Sequence, residues 1–219
     1  MNGRLLIILL GVVCVSMTLG TGTFAADDDA STPLSPCLLA ASDDGKVYVA
    51  ETTACQVAIF DTQSGEVGDT LLFPAPPTGI ALSPDENTLY VTTGVPEGIL
   101  HVVSVQEQTI LDSVTVGYGA CSPVVRPDGE RVYVCNRYEN DVSVVDVNKR
   151  KELVRIAVGR EPRAAEITRD GNLLFVANHL PSQPANQATV RSSIHVIHTG
   201  GLQKVGEILL PNGSTCLED

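Results

Sequence analysis

The sequence predicts an all-β protein, and three observations lead to that prediction. Helical periodicity is almost missing along the 219 residues. Aromatic residues make up only 4% of the chain, so the 43% apolar content comes mostly from valine, leucine, isoleucine and alanine. The β-branched members of that set suit pleated, half-buried strands. One motif also recurs at a spacing in the low forties, which is typical of the four-stranded blades of a β-propeller.

The recurring motif is a polar turn followed by a strand with an aromatic residue. The aromatic positions are Tyr48, Tyr90, Tyr133 and Phe175. A second apolar strand follows in register in each copy and ends at residues 61, 104, 146 and 198. The longer last gap indicates an insertion of about ten residues near 181–191, since a regular repeat has a constant period.

The turn before the aromatic strand has a recognisable chemistry. An aspartate opens it in all four copies, and a glycine follows in three of them as Gly45, Gly129 and Gly171. Aspartate hydrogen-bonds its own backbone two residues on, and glycine adopts positive φ without strain. The turn therefore joins two antiparallel strands within each unit.

Each unit is predicted to contain four short strands. In the second copy these cover roughly 79–83, 88–93, 100–105 and 110–116. The predicted blades span about 36–74, 75–117, 118–159 and 160–210, with the start of a fifth at 211–219. One blade cannot bury both of its faces, so neighbours must stack. The expectation is a partial propeller, explained by truncation or by association of two part-propellers.

The first 25 residues are predicted to be a signal peptide. Arg4 precedes an apolar run at 5–19, and small residues stand before a cleavage point after Ala25 or Ala26. A short acidic leader follows at 26–35. This pattern predicts a periplasmic, extracellular or cell-surface location with no membrane association beyond export. The net charge of −12 repels phosphate backbones, so no nucleic-acid partner is expected.

No motif in the chain identifies a catalytic centre. Covalent haem attachment needs Cys-x-x-Cys-His, and that string is absent. A glycine-rich phosphate loop, a Gly-x-Ser-x-Gly elbow and thiolate spacing for zinc are also absent. The expectation is therefore no catalytic residue, no metal and no cofactor in this chain.

The cysteines admit disulfides, since export favours them. If residues 126 and 131 face each other across the third turn, Cys121 and Cys135 lie nearly opposite one another and within bridging distance. Cys37 occupies almost the same repeat position as Cys121, and a bridge to Cys55 is the less secure second pairing. The alternative is that these cysteines are buried thiols.

Four residues are candidates for binding a ligand or a partner. Arg163 precedes the innermost strand of the fourth copy, near the predicted channel mouth, and His179 heads the insertion. Asn136 and Asn178 share one repeat position at the end of a strand. The structural alternative is that the asparagines cap turns and Arg163 pairs with a neighbouring glutamate.

The strings at 89–93, 132–136 and 175–178 resemble the YVTN family of β-propeller repeats. The resemblance covers about residues 36–210 and implies an exported or surface protein. The segments 178–181 and 211–215 are similar to exported bacterial propellers that continue into a c-type cytochrome or cytochrome-c-peroxidase-like domain. Glu51 departs from the pattern, since copies three and four have asparagine there.

Three functions follow as hypotheses. The first is a non-catalytic exported module that recognises a ligand or protein, and the second is the propeller part of a periplasmic redox protein with a c-type cytochrome domain. The third, a lactonase-like hydrolase, resembles these repeats only loosely. Expected partners are an unknown ligand or protein, a c-type cytochrome domain, or a second copy of the chain. Fold does not decide among these functions.

Overall fold

The computed structural model describes residues 33–215, which form sixteen β-strands in four sheets. Blade 1 contains β1 (Pro36–Ala41), β2 (Lys46–Glu51), β3 (Gln56–Asp61) and β4 (Glu66–Leu72). Blade 2 contains β5 (Pro77–Leu82), β6 (Thr88–Thr93), β7 (Gly98–Ser104) and β8 (Thr109–Val116). Blade 3 contains β9 (Ala120–Val125), β10 (Arg131–Asn136), β11 (Asp141–Asp146) and β12 (Lys151–Ala157). Blade 4 contains β13 (Pro162–Ile167), β14 (Leu173–Asn178), β15 (Ser193–His198) and β16 (Gln203–Leu209).

Every blade is a meander of four antiparallel strands in sequence order. The first strands of neighbouring blades pack side by side, whereas the fourth strands lie further apart at the periphery. This arrangement is that of consecutive propeller blades around an axis. The described residues therefore form part of a β-propeller, as the repeat predicted.

The turn between the first two strands of a blade is built as its residue types require. In blade 2, Asp85 accepts hydrogen bonds from the Ser83 hydroxyl at 2.5 Å and from the Asn87 amide at 3.2 Å. The bond from Ser83 is the largest cause that lowers the pKa of Asp85. Where the other copies have glycine, Glu86 adopts a φ of 58°. The aspartate side chain thus fixes the turn even where the residue is not glycine.

The hydrophobic core lies between the blades. Blade 1 packs Tyr48, Val57 and Ile59 against Leu89 and Val91 of blade 2. Equivalent clusters join blade 2 to blade 3 and blade 3 to blade 4. The repeated tyrosines are almost completely buried in these clusters, which explains the regular spacing of aromatic residues in the sequence.

The predicted signal peptide at 1–25, most of the acidic leader and Cys216 lie outside the described residues. The predicted insertion is present between β14 and β15. Within the described range, no helix has the length and apolar character needed to cross a membrane.

Candidate functional site

The first strands of the four blades form the wall of a concave cavity of about 900 Å³. Apolar side chains cover much of this wall, among them Leu38, Ile80, Val95, Pro123 and Val124. A cavity of this size falls in the range of small-molecule and cofactor pockets, roughly 300–1,000 Å³. The wall is therefore the best candidate for a functional site among the described residues.

One repeat position supplies four of the polar groups of the wall. Each first strand has a register irregularity near its start, and the residue at this repeat position, in or beside the irregularity, lines the cavity. The four residues are Cys37, Thr78, Cys121 and Arg163. The chain thus presents two thiols, a hydroxyl and a guanidinium at equivalent places on neighbouring blades.

These polar residues also connect the blades. The Thr78 hydroxyl donates a hydrogen bond of 2.6 Å to the carbonyl of Ala120 in the next blade. The Cys121 thiol lies 3.8 Å from the carbonyl oxygens of both Pro162 and Arg163, again in the next blade. The wall is consequently held in shape by contacts between blades as well as by the sheets.

An aromatic and cationic rim stands at one end of the cavity. Arg137 lies over the ring of Tyr138, with 5.2 Å from the guanidinium carbon to the ring centroid. The rings of Tyr138 and Tyr118 are 5.1 Å apart and both are exposed. Arg137 also forms an ion pair with Glu161 at 2.8 Å. The hydrogen bond to Glu161 is the largest cause that raises the pKa of Arg137.

Arg137 and Cys121 belong to one electrostatic environment. Both side chains line the cavity, and a Coulombic interaction between them acts on the guanidinium. Cys121 therefore lies within electrostatic reach of a cation, while its thiol also contacts two carbonyl oxygens of blade 4.

Of the four residues predicted to bind a ligand, only Arg163 lines the cavity. Asn136 and Asn178 are buried and donate hydrogen bonds within their own blades, to Ser143 at 2.7 Å and to the carbonyl of Ser193 at 2.9 Å. This environment fits the structural alternative for the asparagines. His179 follows β14, and its backbone amide donates a hydrogen bond of 2.8 Å to the backbone carbonyl of Glu161. His179 is not among the residues that line the cavity.

The predicted disulfides are not formed in the structure. Cys121 and Cys135 are directly opposite partners on β9 and β10, as expected, yet both are thiols. The Cys121 thiol is directed at carbonyl groups of blade 4 instead. Cys55 lies in the turn after β2 with its thiol 3.8 Å from the Thr52 carbonyl oxygen, and the Cys37 sulfur accepts a hydrogen bond of 2.9 Å from the Thr52 hydroxyl. Both residues are thiols as well.

The histidines are placed away from the cavity wall. His101 is buried on β7, with its ring nitrogens 3.2 Å from the Thr93 hydroxyl and 2.9 Å from the Ser113 hydroxyl. Burial lowers the pKa of His101. No group of three or more metal-ligating side chains occurs in the described part of the chain.

Sequence reasoning missed Arg137, Tyr138 and Tyr118. Arg137 and Tyr138 lie in the turn after β10, and Tyr118 lies in the connection before β9. Two features of the sequence could have indicated them. They lie in connections at the end of the blades that reaches the cavity, and the two tyrosines belong to a residue class that makes up only 4% of the chain. Without the tertiary arrangement, nothing relates these connections to the wall.

Comparison with known proteins provides a family assignment. The family described as "Cytochrome D1 heme domain" matches residues 84–204, more than half of the chain. No curated protein sequence matches significantly. Hydrazine synthase from Kuenenia stuttgartiensis has a similar fold, with a TM-score of 0.76, 22% identity and 91% of this chain covered. The match covers 54% of the hydrazine synthase chain, so this protein spans about half of that length.

The expectation that the chain holds no cofactor is wrong, because the matching family is a haem domain family. The absence of Cys-x-x-Cys-His excludes covalent attachment only. Haem iron accepts cysteine thiolate or tyrosine as an axial ligand, and Cys37, Cys121 and Tyr138 line the cavity. Arg137 and Arg163 suit the carboxylates of a tetrapyrrole, and the apolar wall suits its ring. The cavity residues fit the cofactor, and the chain belongs to the Cytochrome D1 heme domain family.

Proposed function

We propose that the cavity wall binds haem non-covalently and that this chain is the haem-binding propeller module of an exported redox protein. The single observation that carries the proposal is the cavity lining. It combines an apolar surface, two arginines and two cysteine thiols. Membership of a haem domain family supports the same conclusion.

The chain's own residues have separable tasks in this proposal. Arg163 and Arg137 bind carboxylates of the cofactor, and Val95, Pro123 and Val124 exclude water from its ring. Cys121 would hold the iron of a bound haem through its sulfur, since it lines the cavity and cysteine is one of the side chains that bind haem iron. A bound haem would supply an iron centre that takes up and returns one electron. Glu161 is a positioning residue, since its ion pair holds Arg137 at the rim.

Titration of the purified chain with ferric protoporphyrin haem tests the proposal. We expect saturable binding of one haem per chain, seen as a shifted Soret band. The Cys121→Ser variant should bind at least about 10-fold more weakly and lose the thiolate spectrum, since a ligand bond is removed. Cys55→Ser is the matched control, because Cys55 does not line the cavity.

The outcomes separate the parts of the proposal. Binding with no saturation, or no Soret shift in the unaltered chain, contradicts haem binding at this wall. An unchanged spectrum in Cys121→Ser, with a changed spectrum in Tyr138→Phe or Cys37→Ser, would assign iron binding to that residue instead of Cys121. If Cys55→Ser loses as much haem affinity as Cys121→Ser, the effect of replacing a cysteine is not specific to the cavity.

Electron exchange with a c-type cytochrome is the second function we propose. The observation that favours it is the exposed Tyr118–Tyr138 pair at the rim, because exposed aromatic side chains are frequent anchors of protein interfaces. Titration with a basic c-type cytochrome should show binding that weakens with salt, given the net charge of −12. Binding that is unchanged in Tyr118→Ala would exclude the rim as the contact.

A further inference from the structure

A cleft between blades 1 and 2 lies at the end of the blades opposite the Tyr118–Tyr138 rim. It is formed by the β1–β2, β5–β6 and β7–β8 turns and has a volume of about 510 Å³. This volume lies within the range of small-molecule pockets. Every residue of its lining except Val105 carries a polar side-chain atom. None of these residues lines the cavity described above, so the cleft is a separate place on the molecule.

Acidic side chains give this cleft a negative charge. Asp44, Asp85 and Glu86 line it, and Lys46 is the one basic residue of its lining. Three carboxylates and one ammonium leave a formal charge of −2. Hydrogen bonds from neighbouring serine hydroxyls are the largest causes that lower the pKa values of Asp44 and Asp85. The cleft is therefore anionic near neutral pH.

The Tyr48 hydroxyl is an independent sign that the cleft binds a ligand. Tyr48 is only 1% exposed and packs in the core between blades 1 and 2, yet it also lines the cleft. Burial, followed by the charges of Asp44 and Glu86, raises the pKa of this phenol, so both carboxylates act on it. No hydrogen bond from residues 33–215 reaches the hydroxyl. Because a buried polar atom is normally hydrogen-bonded, the cleft offers a ligand an unused partner.

The same repeat position in other blades shows that packing does not require this hydroxyl. Phe175 takes the position in blade 4 and has no hydroxyl. Tyr133 takes it in blade 3, where the hydroxyl is buried without a hydrogen-bond partner in the structure. In blade 1 alone the residue at this position lines a cleft of this kind. The Tyr48 hydroxyl is therefore available for binding.

A basic side chain bridges the corresponding turns of blades 3 and 4. Arg131 of blade 3 donates a hydrogen bond of 2.8 Å to the carbonyl of Thr199 in blade 4. Lys46 has the same repeat position in blade 1, but it pairs with Asp44 of its own blade at 3.4 Å. The cleft between blades 1 and 2 thus lacks this bridge. The ion pair also shows that the cleft accepts an ammonium group.

The other two carboxylates are open to a cation from solution. Among the described residues, neither Asp85 nor Glu86 pairs with a basic side chain. An ammonium group donates three hydrogen bonds. Acceptors for them stand in the same cleft: the Glu86 carboxylate, the Tyr48 oxygen and the side-chain carbonyls of Gln106 and Gln108. The lining therefore has the chemistry that recognises an organic amine.

We propose that this cleft binds a small linear diamine, with one ammonium between Glu86 and Tyr48 and the other near Asp85. Two positive charges match the formal charge of −2 that remains after Lys46 has paired with Asp44. A metal ion suits the cleft less well, because no group of three or more metal-ligating side chains occurs among residues 33–215. Carboxylates that are spread over the cleft instead favour two charges joined by a chain.

Isothermal titration calorimetry of the full chain with 1,4-diaminobutane at low salt tests this site. We expect saturable binding of one diamine per chain, at least about 10-fold tighter than binding of 1-aminobutane, which has one charge. Added sodium chloride should weaken the binding, because salt screens the attraction. Haem is not needed, so the result is separate from the test of haem binding.

Two conservative variants remove the proposed contacts. Glu86→Gln should weaken diamine binding at least about 10-fold, because the charge is lost. Glutamine keeps an oxygen that can accept the existing bond of 2.8 Å from the Asp43 amide. Tyr48→Phe should weaken binding about 5-fold, because one hydrogen bond is lost. Phe175 at the same repeat position shows that the fold accepts phenylalanine there.

Each variant has a matched control outside the cleft. Glu130→Gln removes an exposed carboxylate from the corresponding turn of blade 3, and Tyr133→Phe removes the buried hydroxyl of the same repeat position. Both controls should bind the diamine as the unaltered chain does. Absence of saturable binding, or equal losses in Glu86→Gln and Glu130→Gln, overturns the proposal. Calcium that displaces the diamine, and whose own binding is lost in Glu86→Gln and Tyr48→Phe, would assign the cleft to a metal ion and overturn the diamine assignment.

Discussion

Cys121 on β9 and Cys135 on β10 are directly opposite partners in one antiparallel ladder, and both side chains belong to the core between blades 3 and 4. Directly opposed residues project to the same face of a sheet. We therefore predict that oxidation links them. A disulfide closing a loop of this length stabilises a domain by about 2–3 kcal/mol. Peptide mapping after treatment with diamide, and urea unfolding of the oxidised chain, measure the bond and its effect.

The second cysteine pair provides the comparison. Cys55 lies in the turn after β2, outside the ladder that pairs β1 with β2, and its thiol contacts the Thr52 carbonyl while the Cys37 sulfur accepts from the Thr52 hydroxyl. The Cys37–Cys55 link should be absent under the same oxidation. A map that shows this link and lacks the Cys121–Cys135 link contradicts the prediction. Since Cys121 is also the proposed haem ligand, oxidation should lower haem binding as well.

The second prediction concerns Gly117 and its contact with Asn136. A Cβ atom at residue 117 would lie 2.3 Å from the Asn136 side chain, and residue 159 has the same relationship to Asn178 at 2.5 Å. Gly117→Ala should lower the free energy of unfolding by about 1–3 kcal/mol, because the buried asparagine cannot move away without losing its hydrogen bonds. Urea denaturation measures the loss.

Gly68→Ala is the control for this change. At residue 68 the nearest atom to the added Cβ is the Ile59 carbonyl oxygen at 3.6 Å, which is an ordinary contact. Gly68→Ala should change the free energy of unfolding by no more than about 0.5 kcal/mol. Equal losses in the two alanine variants would show that the asparagine contact does not matter.

The repeat was predictable because the same positions of every blade must be apolar to be buried against the neighbouring blade. Tyr48, Tyr90 and Tyr133 fill one position of a repeated interface, so they recur at a constant spacing. The strands follow from the same pattern, and the expected strand 88–93 coincides with β6. The opposed cysteines were predictable to within one residue from the antiparallel register, and the irregularity between Tyr133 and Cys135 brings Cys121 directly opposite Cys135.

The site was predicted poorly for a physical reason. Its polar groups come from first strands about forty residues apart, and Cys37, Thr78, Cys121 and Arg163 share no residue type. Non-covalent cofactor binding requires no contiguous motif, so the missing Cys-x-x-Cys-His string could not exclude it. The structural role of Asn136 could not be recognised from the sequence, because it depends on close packing against Gly117, which is distant in sequence and adjacent in space. Asn136 was therefore interpreted as a binding residue.

The third prediction is a loss of stability in weak acid that depends on His101. Burial lowers the pKa of this histidine, so the folded chain binds a proton less readily than the unfolded chain. Its neutral form supports folding above about pH 6.5, the ordinary value, and stability falls as the pH falls below that value. His101 can change the free energy of unfolding by at most about 1.4 kcal/mol per pH unit.

Comparison of urea unfolding at pH 7.5 and pH 5.5 checks the third prediction. His101→Gln should be less stable than the unaltered chain at pH 7.5, and the gap should narrow at pH 5.5. His198→Gln is the control, since His198 is exposed on the same kind of strand. If the difference in stability between His101→Gln and the unaltered chain is the same at both pH values, other groups cause the loss of stability in acid. His195 is one such group, because burial also lowers its pKa.

The fourth prediction concerns the insertion between β14 and β15, which is held by the segment after β16. The Val190 amide donates a bond of 2.8 Å to the Asn212 side chain, and the Gly213 amide donates one of 2.8 Å to the Val190 carbonyl. Asn212→Ala removes the first of these bonds and also the bond of 3.4 Å that the Asn212 side-chain amide donates to the Ala188 carbonyl. The insertion should then open more often, because local opening depends on few contacts here.

Limited trypsin digestion measures this opening, since Arg191 lies at the end of the insertion and its Nε atom is buried. Cleavage after Arg191 should become several-fold faster in Asn212→Ala, because a bond worth about 1 kcal/mol is lost. Asn148→Ala, in an exposed turn of blade 3, is the control and should leave the rate unchanged. If both variants are cleaved at the rate of the unaltered chain, the bonds of the Asn212 side chain do not hold the insertion closed, and the backbone bonds from Gly213 to Val190 and from Ser192 to Ser214 are sufficient.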